Sequence, residues 1–208
     1  ESIRGYRAMC AVDLSVRDDF SAVTFLVYTP SRVPEGRTKV CPFHSITLYF
    51  IPEKTLETHV NRELYRRWAN DGYLTLCDGS SIDYPLIVDT ILRQPLSILK
   101  IGYDPYKALE FTNLLLNTPG VGKENLEAIP QTNGSFNTSV MSFELALSQD
   151  SITFEPNPIT AYCFGNAVID EDRLENRKPV KATASEKIDG AITNLMGFWL
   201  YNHFKKIV

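Results

Sequence analysis

The stretch Met9-Cys10-Ala11-Val12-Asp13-Leu14-Ser15 constrains this chain more than any other. It reads as an apolar strand over residues 7–15 with one carboxylate near its end. A polar turn carrying Asp18 and Asp19 follows, and then a second apolar strand over residues 22–28. A carboxylate among Ala, Val and Leu beside a core is costly unless its charge is satisfied. A metal ion is one partner that satisfies it. Residues 44–50 form a third strand, in which Ile46, Leu48 and Phe50 alternate with Ser45, Thr47 and Tyr49. Three successive strands with short links predict an antiparallel meander.

Residues 29–42 carry Pro, Gly, Arg and Lys and read as an exposed loop. A helix is predicted over residues 58–70, with Val60, Leu64 and Trp68 on its buried side. A short extended piece at 74–76 precedes a second helix at 83–94, in which Leu86, Ile87, Ile91 and Leu92 form the buried stripe. Residues 97–103 read as a buried strand ending in Asp104-Pro105, with Pro105 at the first position of the next helix. Asp104 would then sit where a strand hands over to a helix, the edge at which sites collect in open mixed sheets. A short strand at 126–131 and a helix at 139–148 come next, and a short helix is favoured at 159–167. Residues 170–178 are a charged loop or hairpin. Residues 185–204 form a long helix capped by Ser185, with Ile188, Ile192, Leu195 and Trp199 inward.

No apolar run among the 208 residues is long enough to span a membrane, so no membrane partner is expected. No signal peptide is visible, and Glu1 rather than Met opens the chain, so a fragment or processed product is expected. The net charge of −4 argues against a broad basic face for nucleic acid, but not against an enzyme that is handed DNA by a partner. Cys10, Cys41, Cys77 and Cys163 are widely spaced and read as buried free thiols. Pro119-Gly120-Val121-Gly122-Lys123 invites a phosphate-loop reading. Glu124 replaces the Ser or Thr that would hold Mg²⁺, and Asn117 replaces the leading Gly, so the stretch reads as a turn. His44, His59 and His203 have no acid or nucleophile at a diagnostic spacing and are read as structural or surface residues.

Three acids stand in unusual company: Asp13 on the first strand, Asp104 at the end of a later one, and Asp189 in the first turn of the last helix. The helix dipole favours an ionised carboxylate there. Brought together, these acids repel unless divalent cations lie between them. Mg²⁺ and Mn²⁺ take such hard oxygen ligands. Two ions roughly 3.5–4 Å apart can hold a phosphodiester in line for hydrolysis. Asp18 and Asp19 either extend this site or form a solvated turn. Lys181 and Lys187 flank Asp189 and are candidates for phosphate contacts, although surface lysines need no role. Asn166 either hydrogen-bonds near the site or caps a helix.

Several phrases carry a resemblance. Val12-Asp13-Leu14-Ser15, Tyr103-Asp104-Pro105-Tyr106, Gln131 with Met141-Ser142, Asn157-Pro158 before Gly165-Asn166, Pro179-Val180-Lys181 and Lys187-Ile188-Asp189-Gly190-Ala191 occur in this order. Together they resemble the nuclease domain of phage terminase large subunits. The resemblance implies a ribonuclease H-like α/β fold, a central mixed sheet with helices on both faces. It implies a two-metal endonuclease using Mg²⁺ or Mn²⁺ that cuts concatemeric double-stranded viral DNA during packaging, with Asp13, Asp104 and Asp189 as catalytic metal ligands. The implied partners are DNA, an ATPase motor on the same full-length chain, the portal and the small terminase subunit, in the host cytoplasm. The expected layout is a single nuclease domain over 1–208, with 1–6 as a linker remnant and the motor outside the sequence. Two alternatives remain: another ribonuclease H-like enzyme such as a junction resolvase, and a docking module without catalysis.

Overall fold

The alternation in the first half of the chain folds as a meander. In the computed structural model, which describes residues 3–15, 19–106, 108–183 and 186–208, β1 is Arg7–Asp13, β2 is Ser21–Tyr28 and β3 is Phe43–Pro52. They pair antiparallel, with Ala11 opposite Thr24 and Thr24 opposite Thr47. β4 (Leu74–Cys77) lies parallel to β3 at one edge. β5 (Ser97–Tyr103) and β6 (Leu126–Ala128) extend the other edge, both parallel to β1. The order is β4-β3-β2-β1-β5-β6, and β7 (Ile152–Phe154) also pairs with β3. A mixed sheet results, as expected.

The period of two decides which helices cover which face. Ala8, Cys10 and Val12 join Val23, Phe25 and Val27 against α3 (Tyr84–Leu92) and α4 (Leu109–Leu116). Met9, Ala11 and Leu26 point the other way, onto α5 (Asn133–Ser148) and α7 (Asp189–Phe204). A third cluster joins Phe20, Tyr49 and Ile51 to α1 (Thr55–Thr58), α2 (Arg62–Asn70) and α6 (Pro158–Gly165). The charged segment folds as the hairpin β8 (Ala167–Glu171) and β9 (Arg177–Lys181). No helix among the described residues is long and apolar enough to cross a membrane.

Several elements differ from expectation for local reasons. The helix expected at 58–70 is two pieces, because His59 is extended and the Asn61 N–H donates to His59 Nδ1. Val60 is 81% exposed, and Tyr65 takes its inward place beside Trp68. Pro105 does not begin a helix: the Asp104 carboxylate accepts the Tyr106 N–H at 2.9 Å, which makes a turn, and α4 starts later. Helix α5 begins at Asn133, capped by Thr132, rather than at 139. The inward positions expected for Leu92 and Trp199 are also off by phase, since Leu92 is exposed and Trp199 half-buried. Ser185 and Asp18 lie outside the described residues. The four cysteines are buried and unbridged. His44 is buried, with its Nδ1 2.8 Å from Thr153 Oγ1, His59 is half-buried and stacks on Tyr65, and His203 is exposed and stacks on Trp199.

Helix α7 is buried on nearly every side, which a two-sided helix pattern does not anticipate. Its polar residues are matched by the sheet. Thr193 Oγ1 lies 2.7 Å from Thr24 Oγ1, which lies 2.8 Å from Thr47 Oγ1. Ser45 donates to Asn194 Oδ1 at 2.6 Å, and Asn194 Nδ2 donates to Gly190 O at 2.7 Å and Thr47 Oγ1 at 3.2 Å. Buried polar groups of this kind are tolerated only when paired. The network therefore fixes the rotation and height of α7 over β2 and β3.

Candidate acidic metal centre

Strand register brings the first two acids together. Val12 pairs with Tyr103 across the parallel β1–β5 ladder, so Asp13 and Asp104, one residue further along each chain, leave the sheet side by side. Neighbouring strands are about 4.8 Å apart. Tyr103 also pairs with Ala128, which sends Gln131 to the same edge. Asp13 shares the face of Met9 and Ala11, the face that α7 covers, and α7 begins at Asp189. Residue 190 must be small here, because a Cβ would collide with the Tyr49 hydroxyl. That close approach seats the first turn of α7 against β3.

Asp13, Asp104 and Asp189 line one cavity of about 270 Å³, together with Asp19, Gln131 and Lys181. Asp189 is 8% exposed. Burial, and then the charge of Asp19, push its carboxyl up to about 7, against the pull of its own helix-start N–H and of Lys181 and Lys187. Burial also drives the Asp13 carboxyl well above the usual range, reinforced by the charges of Asp189, Asp104 and Asp19, while Gln131 pulls the other way. The protein thus holds carboxylates that resist ionisation when no cation is near.

Asp19 is part-exposed but lines the cavity and is paired with two lysines. Burial works to raise its pKa, but Lys187 and Lys181 outweigh that and hold it below the ordinary value. Its Oδ1 is paired with Lys187 Nζ, and its Oδ2 lies 3.5 Å from Lys181 Nζ. Lys187 is therefore not a surface lysine: its side chain is 9% exposed, against 33% for Lys181. Asn166 fulfils both readings, ending α6 and donating from Nδ2 to the Lys187 carbonyl at 3.2 Å.

The donor set suits a hard divalent cation. Asp189 Oδ2 is buried without a hydrogen-bond partner among the described residues, a costly arrangement that a cation would relieve. As arranged, no three His, Cys, Asp or Glu side chains among the described residues form a ready-made metal-ligand group.

These features define a ribonuclease H-like α/β domain with an acidic cavity at the carboxyl edge of its parallel strands. A family model for the terminase large subunit, endonuclease domain, matches residues 1–203, and the chain belongs to that family. The terminase large subunit of Enterobacteria phage HK97 is 26% identical over 190 residues, covering 89% of this chain and 35% of that protein. Protein YmfN of Escherichia coli strain K12 is 26% identical over 210 residues, covering 94% and 43%. The chain thus spans less than half the length of either relative. The crystal structure of the HK97 large terminase matches with a TM-score of 0.79 at 22% identity, over 95% of this chain and 40% of that one. The large terminase nuclease of thermophilic phage G20c matches at 0.58 and 8% identity, over 96% and 83%.

Sequence reasoning missed the residues that hold the acids in place. Tyr49 reads only as a strand residue, and Thr193 and Asn194 are not among the inward positions Ile188, Ile192, Leu195 and Trp199 expected of the last helix. The available signal was the composition of α7, where Ala191, Ile192, Leu195, Met196, Phe198 and Leu200 leave little room for a wet face.

Proposed function

We propose that this domain is a divalent-cation-dependent endonuclease that cuts concatemeric double-stranded viral DNA during genome packaging. The observation that carries the reading is the gathering of Asp13, Asp104 and Asp189 around one cavity, with a buried Asp189 oxygen that has no protein donor among the described residues. These three carboxylates would hold two Mg²⁺ or Mn²⁺ ions, which supply positive charge at the phosphate and lower the pKa of water. The chain itself supplies rigidity. Asp13 and Asp104 sit on adjacent parallel strands, and Asp189 on a helix locked by its buried polar network. Of the two lysines, Lys181 suits a backbone phosphate, because its ammonium is part-exposed on the cavity wall. Few residues around the cavity suit base readout, so cutting has little sequence preference. The net charge of −4 makes binding to free DNA weak. Residues 1–208 act as one nuclease unit, and the ATPase motor of the full-length chain, with the portal and small subunit, delivers the duplex.

Plasmid nicking in Mn²⁺ tests this. Asp13→Asn and Asp189→Asn proteins that remain folded lose nicking by at least about 100-fold, and excess chelator abolishes it without unfolding the domain. Persistent nicking by either folded variant refutes the assignment. A preference for four-way junctions over linear duplex would favour a resolvase, and the absence of cleavage at every Mn²⁺ concentration would favour a docking module.

A further inference from the structure

We propose that Asp19 is a charge clamp for Lys187 and Lys181 rather than a cation ligand, a positioning residue that divides the cavity into a neutralised half and a cation-accepting half. This rests on the nuclease reading above. Four carboxylates face or line the cavity, from Asp13, Asp19, Asp104 and Asp189, and Lys181 is in its wall. Asp19 differs from the other three. Each of its oxygens faces a different ammonium, Oδ1 that of Lys187 and Oδ2 that of Lys181. An oxygen that accepts from an ammonium offers less to a divalent ion, and the adjacent positive charge repels the ion.

The two lysines are held differently. Lys187 is almost wholly buried, two residues before Asp189, and its carbonyl is tied by Asn166. A buried lysine persists only when it is paired. Asp19 is thus one partner that holds Lys187 inside, and that pairing helps to anchor the chain immediately ahead of Asp189. Lys181 is more exposed and more distant from Asp19, on β9. It is parked rather than locked, and a DNA phosphate can draw it away while Lys187 stays. Asp19 therefore sets the third acid through Lys187 and presents a phosphate-binding ammonium through Lys181.

A double-variant cycle on the whole chain tests this, read by Mn²⁺ titration calorimetry without DNA and by urea unfolding in chelator. Asp19→Asn removes the carboxylate that lies between two ammonium groups, so it lowers the urea midpoint and weakens Mn²⁺ binding several-fold. Lys187→Met also lowers the midpoint, because it leaves Asp19 facing the other acids. The double variant removes both charges, a change that buried pairs often tolerate. It recovers most of the stability and binds Mn²⁺ within about threefold of the wild type. Mn²⁺ binding by the double variant that is still about tenfold weaker, or stability losses that simply add, would overturn the proposal. Lys181→Gln should raise KM for plasmid more than it lowers kcat and reduce the salt slope of DNA binding by about one. A fall in kcat alone would contradict the parked-lysine role. Loss of Mn²⁺ binding in Asp13→Asn reports on the nuclease site itself, whereas the cycle reports on Asp19.

Discussion

Replacing Asp189 by Asn should stabilise the cation-free protein while it destroys cleavage. Asp189 is 8% exposed, and one of its oxygens is buried without a partner among the described residues. Its carboxyl is pushed from the ordinary 3.8 to about 7 by burial and by Asp19. Between these values the native state holds a proton that the unfolded chain has released. Stability therefore falls as pH rises through this window, by 1.36 kcal/mol for each unit. The full shift amounts to about 4 kcal/mol at alkaline pH, an upper bound because Asp13 titrates with it and water can enter. The neutral amide carries no such penalty, although its NH₂ must replace a carboxyl oxygen. The net expectation is about 1–3 kcal/mol of added stability at pH 8 in chelator, or roughly 2–10 °C in Tm. At pH 5 the unfolded carboxyl is ionised while the native one keeps its proton, so only about a third of the full penalty is present and the gap should shrink to roughly a third of its pH 8 value. Urea unfolding at both pH values in chelator measures this. Adding Mn²⁺ at pH 8 should reverse the order, because only the wild type gains the full binding energy. An Asn variant that is less stable than the wild type at pH 8 in chelator, or a gap that ignores pH, would refute the account of Asp189 as a carboxylate held for a cation.

Other consequences follow from the residues that place the acids. Gly190→Ala forces a methyl into the Tyr49 hydroxyl and should cost about 1–3 kcal/mol by urea unfolding, with a loss of nicking beyond what stability explains. Asn194→Leu takes the acceptor from the Ser45 hydroxyl and one donor each from the Thr47 hydroxyl and the Gly190 carbonyl, and should cost about 1–3 kcal/mol by thermal melting. Thr132→Ala removes the cap of α5 and should cost about 1 kcal/mol, with nicking retained once the protein is folded. Chelation at pH 8 should lower the wild-type Tm but leave that of Asp13→Asn nearly unmoved.

Much of this molecule was legible along the chain, because the sheet is written with a period of two. The strand over 97–103 and the placement of Asp13 and Asp104 at strand ends follow from local pattern, whereas in β3 the polar set Ser45, Thr47 and Tyr49 is the more deeply buried, because α7 covers that face. Helix boundaries were less legible. The break at His59 and the turn at Asp104-Pro105-Tyr106 depend on a ring nitrogen and a carboxylate that compete for backbone N–H groups, and no apolar pattern records that competition.

The sequence by itself determined that a carboxylate would close a buried strand, that two more would sit at a strand end and a helix start, and that a mixed sheet would carry them. Only the tertiary structure decided what surrounds them. Asp19 pairs with two lysines, Lys187 points inward, and a helix that carries Thr193 and Asn194 is buried on nearly every side. The physical reason is that strand and helix periodicity are properties of neighbours in the chain. The partner of a buried charge or hydroxyl comes from residues more than a hundred positions away, as with Thr24 and Thr193 or Asp19 and Lys187.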